Sequence, residues 1–170
     1  MRRRKLFSSI ALLLPGLTWA SNILETQTFV LTLPKGWVRN LDTSPVSARG
    51  PQGETLQISS SRIKGAGDPT ELAQIRKEME EIGLKTLRLA ESEPGLTIEA
   101  AITRSEPSNG VVLNEVTYLA KDTGWRIAQF SVLGPRTAIL VSVRIPKGNY
   151  SSLGELRKSI RAIAWAPREA

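Results

Sequence analysis

The 170-residue chain has no histidine and no cysteine, and only 5% of its residues are aromatic. Each shortage excludes a class of chemistry. Without histidine there is no imidazole base, so the serines of Ser59-Ser60-Ser61 have no ordinary partner for nucleophilic catalysis. Without cysteine there are no disulfides, no thiolate nucleophile and no soft zinc cage. Asp-rich loops of the kind that hold hard cations are missing too, so no metal and no cofactor is expected. Few aromatics and, beyond residue 20, no basic cluster leave nucleic-acid binding without its stacking platforms and its concentrated positive surface.

The strongest feature present is at the start. Arg2, Arg3, Arg4 and Lys5 precede an apolar run from Leu6 to Leu14, Pro15-Gly16 breaks it, and Thr18-Trp19-Ala20 offers small residues for cleavage. This is the plan of a signal peptide. The run is much shorter than the roughly 20 residues that span a bilayer. Residues 1–20 are therefore expected to be a leader removed after Ala20, with export to the periplasm or beyond and no stable membrane anchor. Arg3-Arg4 leaves the twin-arginine route open beside the general one. The leader also holds four of the 23 positive charges. What remains has 19 basic and 16 acidic residues, a net charge of only +3.

Residues 21–170 suit a single domain, long enough to bury roughly two-thirds of its unfolded surface without staples. Phe29, Leu31 and Leu33 alternate with polar neighbours as in a half-buried strand, ended by Pro34-Lys35-Gly36 and followed by Trp37. Val46 to Arg49 is a weaker strand pattern. Thr55 to Ile63 puts Leu56 and Ile58 on one face and Ser59 and Ser61 on the other. Asp68-Pro69-Thr70-Glu71 starts a helix: an N-cap carboxylate, proline in the first turn and a capping-box glutamate. Its apolar stripe is Leu72, Ile75, Met79 and Ile82, with Gly83 as the expected stop. The acids Glu78, Glu80 and Glu81 read as a solvated helix face rather than a cation site.

Further on, Ile98, Ala100 and Ile102 alternate along one strand, and Asn109-Gly110 marks a hairpin. Val111 to Ile145 then reads as a three-stranded meander turned at Asp122-Thr123-Gly124 and Gly134-Pro135-Arg136. Val112, Val116 and Tyr118 share one face of its first strand; Ala128, Phe130 and Val132 share one face of its second. The third, Thr137 to Ile145, is apolar almost throughout, which predicts a central strand covered on both sides. Leu153, Leu156, Ile160 and Ile163 mark a last helix, with Ser152 and Glu155 as a second capping box. The class is α+β: a mainly antiparallel sheet of about six to eight strands with two helices, arranged as an α/β/α sandwich.

This order resembles the PsbP-like fold, shared by the Ran-binding factor Mog and DcrB-like periplasmic proteins. The resemblance rests on Phe29-Val30-Leu31-Thr32-Leu33-Pro34-Lys35-Gly36-Trp37, the capped helix, the meander, and Leu156-Arg157-Lys158-Ser159-Ile160. It implies a binding module, since members of that superfamily mostly act by contact, without naming what is bound. The metal-binding histidines of some PsbP-like members have no counterpart here.

Three functions are weighed. The leading one is an exported, non-catalytic interaction or accessory module, an immunity protein to a secreted toxin being one sub-case. Its candidate contacts are Trp37, Trp125, Arg126 and Arg136, because tryptophan and arginine are common at binding hot spots. The second is a small hydrolase using Glu99 and Glu115 on neighbouring strands. The third is a small-ligand or lipid carrier whose cavity would be lined by meander aliphatics with Trp37, Trp125 and Trp165. Core packing accounts for those same residues.

Overall fold

The computed structural model describes residues 22–40, 42–63, 68–102, 111–134 and 136–165. The leader and the Asn109-Gly110 turn lie outside them. Ten strands and two helices follow in the order β1 Ile23–Glu25, β2 Phe29–Thr32, β3 Val38–Asn40, β4 Val46–Arg49, β5 Thr55–Arg62, α1 Pro69–Ser92, β6 Leu96–Ile102, β7 Val111–Ala120, β8 Trp125–Leu133, β9 Thr137–Ile145, α2 Ser151–Arg161 and β10 Ala164–Trp165. Seven strands form the main sheet in the order β3-β4-β5-β9-β8-β7-β6, antiparallel throughout. The short β1, β2 and β10 form a second sheet.

The helices lie on opposite faces of the main sheet, and β7 shows why. Successive strand residues point to opposite faces. Asn114 donates to Met79 O in α1 at 3.1 Å. Its neighbour Glu115 meets Arg157 and Arg161 of α2. The α2 face holds the main core: Leu56, Ile58, Ala128, Phe130, Val132, Ile139, Val141, Val143 and Ile145 pack with Leu153, Leu156 and Ile160 of α2. Phe29, Leu31 and Leu33 of the small-sheet layer join the same cluster, as their alternation predicts. So does Trp37.

β9 is the middle strand of the seven, as expected, but its cover is one-sided. Ile139, Val141, Val143 and Ile145 are buried on the α2 face. On the other face Leu140 is 49% exposed and Arg144 is exposed. The reason is where α1 lies: it packs on β6, β7 and, at its margin, β8, leaving β9 and β5 bare. Thr137–Ile145 thus has an apolar side and a mixed side, because Ser142 and Arg144 share the alternate positions with Ala138 and Leu140.

α1 starts as predicted. Asp68 accepts from Thr70 N at 2.8 Å, with proline in the first turn. Such a cap contributes about 1 kcal/mol. The helix does not stop at Gly83, however, but runs nine residues further to Ser92. Gly83 is buried in mid-helix because Asn114 packs against it; a Cβ there would overlap the Asn114 amide. That close approach sets the helix rotation. Met79, Gly83, Leu87 and Ala90 turn inward, and Ile82, expected inside, is 63% exposed.

Two β-bulges break alternations that read as continuous. The register shifts between Ile98 and Ala100, so Ile98 opposes Tyr118 while Ala100 opposes Thr117, on opposite faces. A second shift between Val112 and Asn114 interrupts the run expected from Val112 to Val116 and Tyr118. The second capping box is also absent. Tyr150 takes the N-cap position of α2 without a side-chain cap bond, and Ser152 Oγ donates backwards to Asn149 O. The start of α2 is tied instead by Tyr150 OH donating to Gly124 O at 2.7 Å.

The two interior helix glycines give a direct check. Gly83→Ala gains helix propensity of about 1 kcal/mol but must displace Asn114, a net loss of roughly 1–3 kcal/mol. Gly154→Ala in α2 meets nothing within 4 Å, so it is expected to stabilise by about 0.5–1 kcal/mol. Urea unfolding of the two variants should therefore show midpoint shifts of opposite sign.

Candidate functional site

The two carboxylates named for catalysis are each held by arginine. Glu99 sits at the β6 bulge, which turns it towards β8. Arg126 donates to it twice, Nε to Oε2 at 2.6 Å and Nη2 to Oε1 at 2.9 Å. The same guanidinium lies 3.7 Å from the centroid of the Tyr150 ring. A planar cation so placed satisfies both a carboxylate and an aromatic face. Arg126 keeps its proton more firmly than usual, chiefly through the Glu99 hydrogen bond. It is a clamp between the β6 edge and the start of α2.

Glu115 is fully buried. Arg157 Nε donates to Oε1, and Arg161 Nη2 donates to Oε2 at 3.2 Å. The arginines are one helical turn apart on α2, so both reach one strand position. The carboxylate thereby fastens α2 to the main sheet. Glu99 and Glu115 are not brought together as an acid–base pair; Glu99 is paired with Arg126, and Glu115 with Arg157 and Arg161.

The other named residues separate by exposure. Trp37 is 2% exposed and belongs to the core, so its ring has no surface to present to a partner. Trp125 is half-buried at the start of β8, and Arg136 is exposed in the β8–β9 turn. Trp165 packs against the core cluster. In the acidic trio of α1, Glu78 accepts from Gln74 at 2.9 Å and Glu81 pairs with Lys77 at 4.0 Å. These are helix-face contacts one turn apart.

Two surfaces remain open. The first is the outer face of α1. Ile82 and Leu89 are each 63% exposed and lie seven residues apart, about 10.5 Å along the axis and nearly on one line. Leu84 is exposed on the opposite flank of the helix, and Lys77, Glu78, Glu81, Lys85 and Arg88 lie between the two flanks. The second is the half of the main sheet that α1 leaves bare. There Thr55, Gln57, Ser142 and Arg144 line a shallow depression of about 90 Å³. Tyr118 stands in the same face, its phenol held above the ordinary value of 10.0 by burial and drawn back by the positive charge of Arg144.

Neither surface was named from sequence. The signal for the second was present: Ser59 and Ser61 read as outward, and Ser142 and Arg144 occupy alternate positions on the paired strand. The first depends on the rotation of α1, which no periodicity in that helix discloses.

No protein-family model matches the chain, and a search of the curated proteins returns no match. Solved structures do match. Cyanobacterial PsbP (CyanoP) from Synechocystis sp. PCC 6803 is similar with a TM-score of 0.55 at 12% identity, over 94% of this chain and 98% of that one. The fold is PsbP-like. LpqN of Mycobacterium tuberculosis, involved in cell envelope biogenesis, is similar with a TM-score of 0.51 at 13% identity, over 81% and 82% of the two chains. The α+β class and the resemblance read from sequence both stand. Among the described residues, no helix is long and apolar enough to cross a membrane.

The two ion clusters should differ in weight. Glu115→Ala leaves two arginines around an emptied buried site and is expected to cost about 3 kcal/mol. Glu99→Ala removes a partly solvated pair and is expected to cost about 1 kcal/mol or less. Urea unfolding followed by tryptophan fluorescence reads both; equal losses would contradict the structural role given to Glu115.

Proposed function

We propose that the protein is an exported, non-catalytic accessory module of the cell envelope that docks a protein partner on the outer face of α1. The observation that carries this is the pair Ile82 and Leu89, two large aliphatics 63% exposed on one line of a well-formed helix. Exposed apolar residues rimmed by charge are the usual mark of a protein contact. An amphipathic partner surface with apolar side chains about two helical turns apart would cover them.

Three further points support the reading. The carboxylates best placed for catalysis are consumed by arginines. Residues 1–20 follow the plan of a signal peptide, which would direct the chain out of the cytoplasm. The PsbP-like neighbours include a protein involved in cell envelope biogenesis. Arg136 and Trp125, at the ends of β8, serve as secondary contacts.

The double substitution Ile82→Asp with Leu89→Asp tests the reading. Both sites are exposed, so each change should leave stability within about 0.5 kcal/mol. With a photo-crosslinker at Lys85, the native chain is expected to give a discrete adduct in its own envelope. The double variant should lose that adduct while keeping its circular dichroism. An unchanged adduct in the variant, or none with the native chain, would overturn the proposal.

A further inference from the structure

We propose that the bare half of the main sheet, on the α1 side, binds a carboxylate-bearing carbohydrate chain. The registers lay this face out in rows. Arg49 opposes Thr55, Thr55 opposes Arg144, Arg144 opposes Ile127 and Ile127 opposes Tyr118. In the next row Ser47, Gln57, Ser142 and Gln129 stand side by side, and beyond it come Ser59, Leu140 and Ser131. Residues directly opposite across strands share a face, so these side chains form one surface. α1 covers its β6–β8 end and leaves β4, β5 and β9 open.

The charge of this surface is one-sided. Arg49 and Arg144 are exposed on it, and among the described residues neither takes part in an ion pair. No aspartate or glutamate occupies any of the strand positions in these rows. The two arginines are two strands apart, roughly 10 Å. This contrasts with Arg126, Arg157 and Arg161 on the other face, each paired with a glutamate. An unpaired guanidinium offers a planar fork that fits a carboxylate with two parallel hydrogen bonds. The field of Arg144 extends along its row as far as Tyr118, where it partly offsets the burial that raises the phenol.

Shape decides the size of the ligand. The depression at Thr55, Gln57, Ser142 and Arg144 has a volume of about 90 Å³. That holds about three waters or one carboxylate, well below the roughly 300 Å³ of a pocket that engulfs a small molecule. A ligand seated there inserts one anionic group and lies across the sheet with the rest.

Side-chain chemistry decides its class. The floor is serine, threonine and glutamine, each able both to donate and to accept, which matches sugar hydroxyls. Serine and threonine are under-represented at protein hot spots. Strand addition is closed at the depression as well, because Thr55–Ile58 of β5 is paired with β4 and β9, and Ser142 and Arg144 of β9 with β5 and β8. This surface is separate from the α1 ridge and does not depend on it.

The test is a titration of the isotope-labelled secreted chain with oligogalacturonate, a homopolymer of a carboxylated sugar, read by amide chemical shifts. Poly-L-glutamate, polyphosphate and neutral dextran are the comparisons. Saturable shifts are expected at Thr55, Gln57, Ser142 and Arg144. Arg144→Glu and Arg49→Glu should each weaken binding at least tenfold, while Lys158→Glu, an equal charge change on α2, should not. Shifts centred elsewhere, undiminished binding in both arginine variants, or equal binding of poly-L-glutamate, polyphosphate or dextran would overturn the proposal.

Discussion

The structure depends on a pair of adjacent residues pointing opposite ways. Asn114 reaches up to α1 and Glu115 reaches down to α2, so one strand anchors a layer on each side. The two anchors differ in kind. Asn114 makes a neutral bond at a helix-to-sheet approach so close that only glycine fits at position 83. Glu115 is a buried charge, expensive to desolvate, and its two arginines offset that cost by supplying charge-assisted bonds. Neither partner set is local: Arg157 and Arg161 lie 42 and 46 residues further along the chain. The closing helix must therefore dock before the charge on β7 is compensated.

The placement of α1 follows from the same anchor and has a consequence for function. A helix held over β7 by Gly83 covers one end of a seven-stranded sheet and no more. The other end is left to solvent, and its residues are suited to that: hydroxyls, amides and arginine where the opposite face has valine and isoleucine. The same rotation that brings Gly83 against Asn114 carries Ile82 and Leu89 outward. The bare sheet and the exposed helix ridge thus have one origin. Pairing of the reactive-looking carboxylates with arginine has another, the need to pin α2 and the β6 edge. Groups that suggest chemistry in the sequence hold the fold together, and the surfaces open to partners bear no mark of chemistry.

Much of this was legible from residue patterns. The alternation of Phe29, Leu31 and Leu33, the Asp68 cap, the outward serines of β5 and the three-strand meander each depend on contacts within a few residues or one hairpin. What was not legible depends on distant pairing. β1, β3 and β10 are two or three residues long and exist only because a neighbouring strand supplies their hydrogen bonds. The bulges at Glu99 and before Asn114 invert alternations that look unbroken. Gly83 read as a helix stop because glycine at the end of an apolar stripe usually is one; here its missing side chain makes room for Asn114. The arginines of α2 were visible at one-turn spacing, but their carboxylate was not. The bare half-face was hidden by reading Thr137–Ile145 for its apolar content and not for the polar residues at alternate positions.

One measurement bears most directly on the one-sided cover of the central strand. The chain has no native cysteine, so single substitutions report their own sites. Leu140→Cys and Val141→Cys are neighbours on β9 that point to opposite faces, the first 49% exposed and the second fully buried. In the folded protein the thiol at position 140 is expected to react with a maleimide at close to the rate of an unfolded thiol. The thiol at 141 should react only as fast as the protein opens. Equal protection at both positions would mean that the face is covered, and that neither the position assigned to α1 nor the open surface stands.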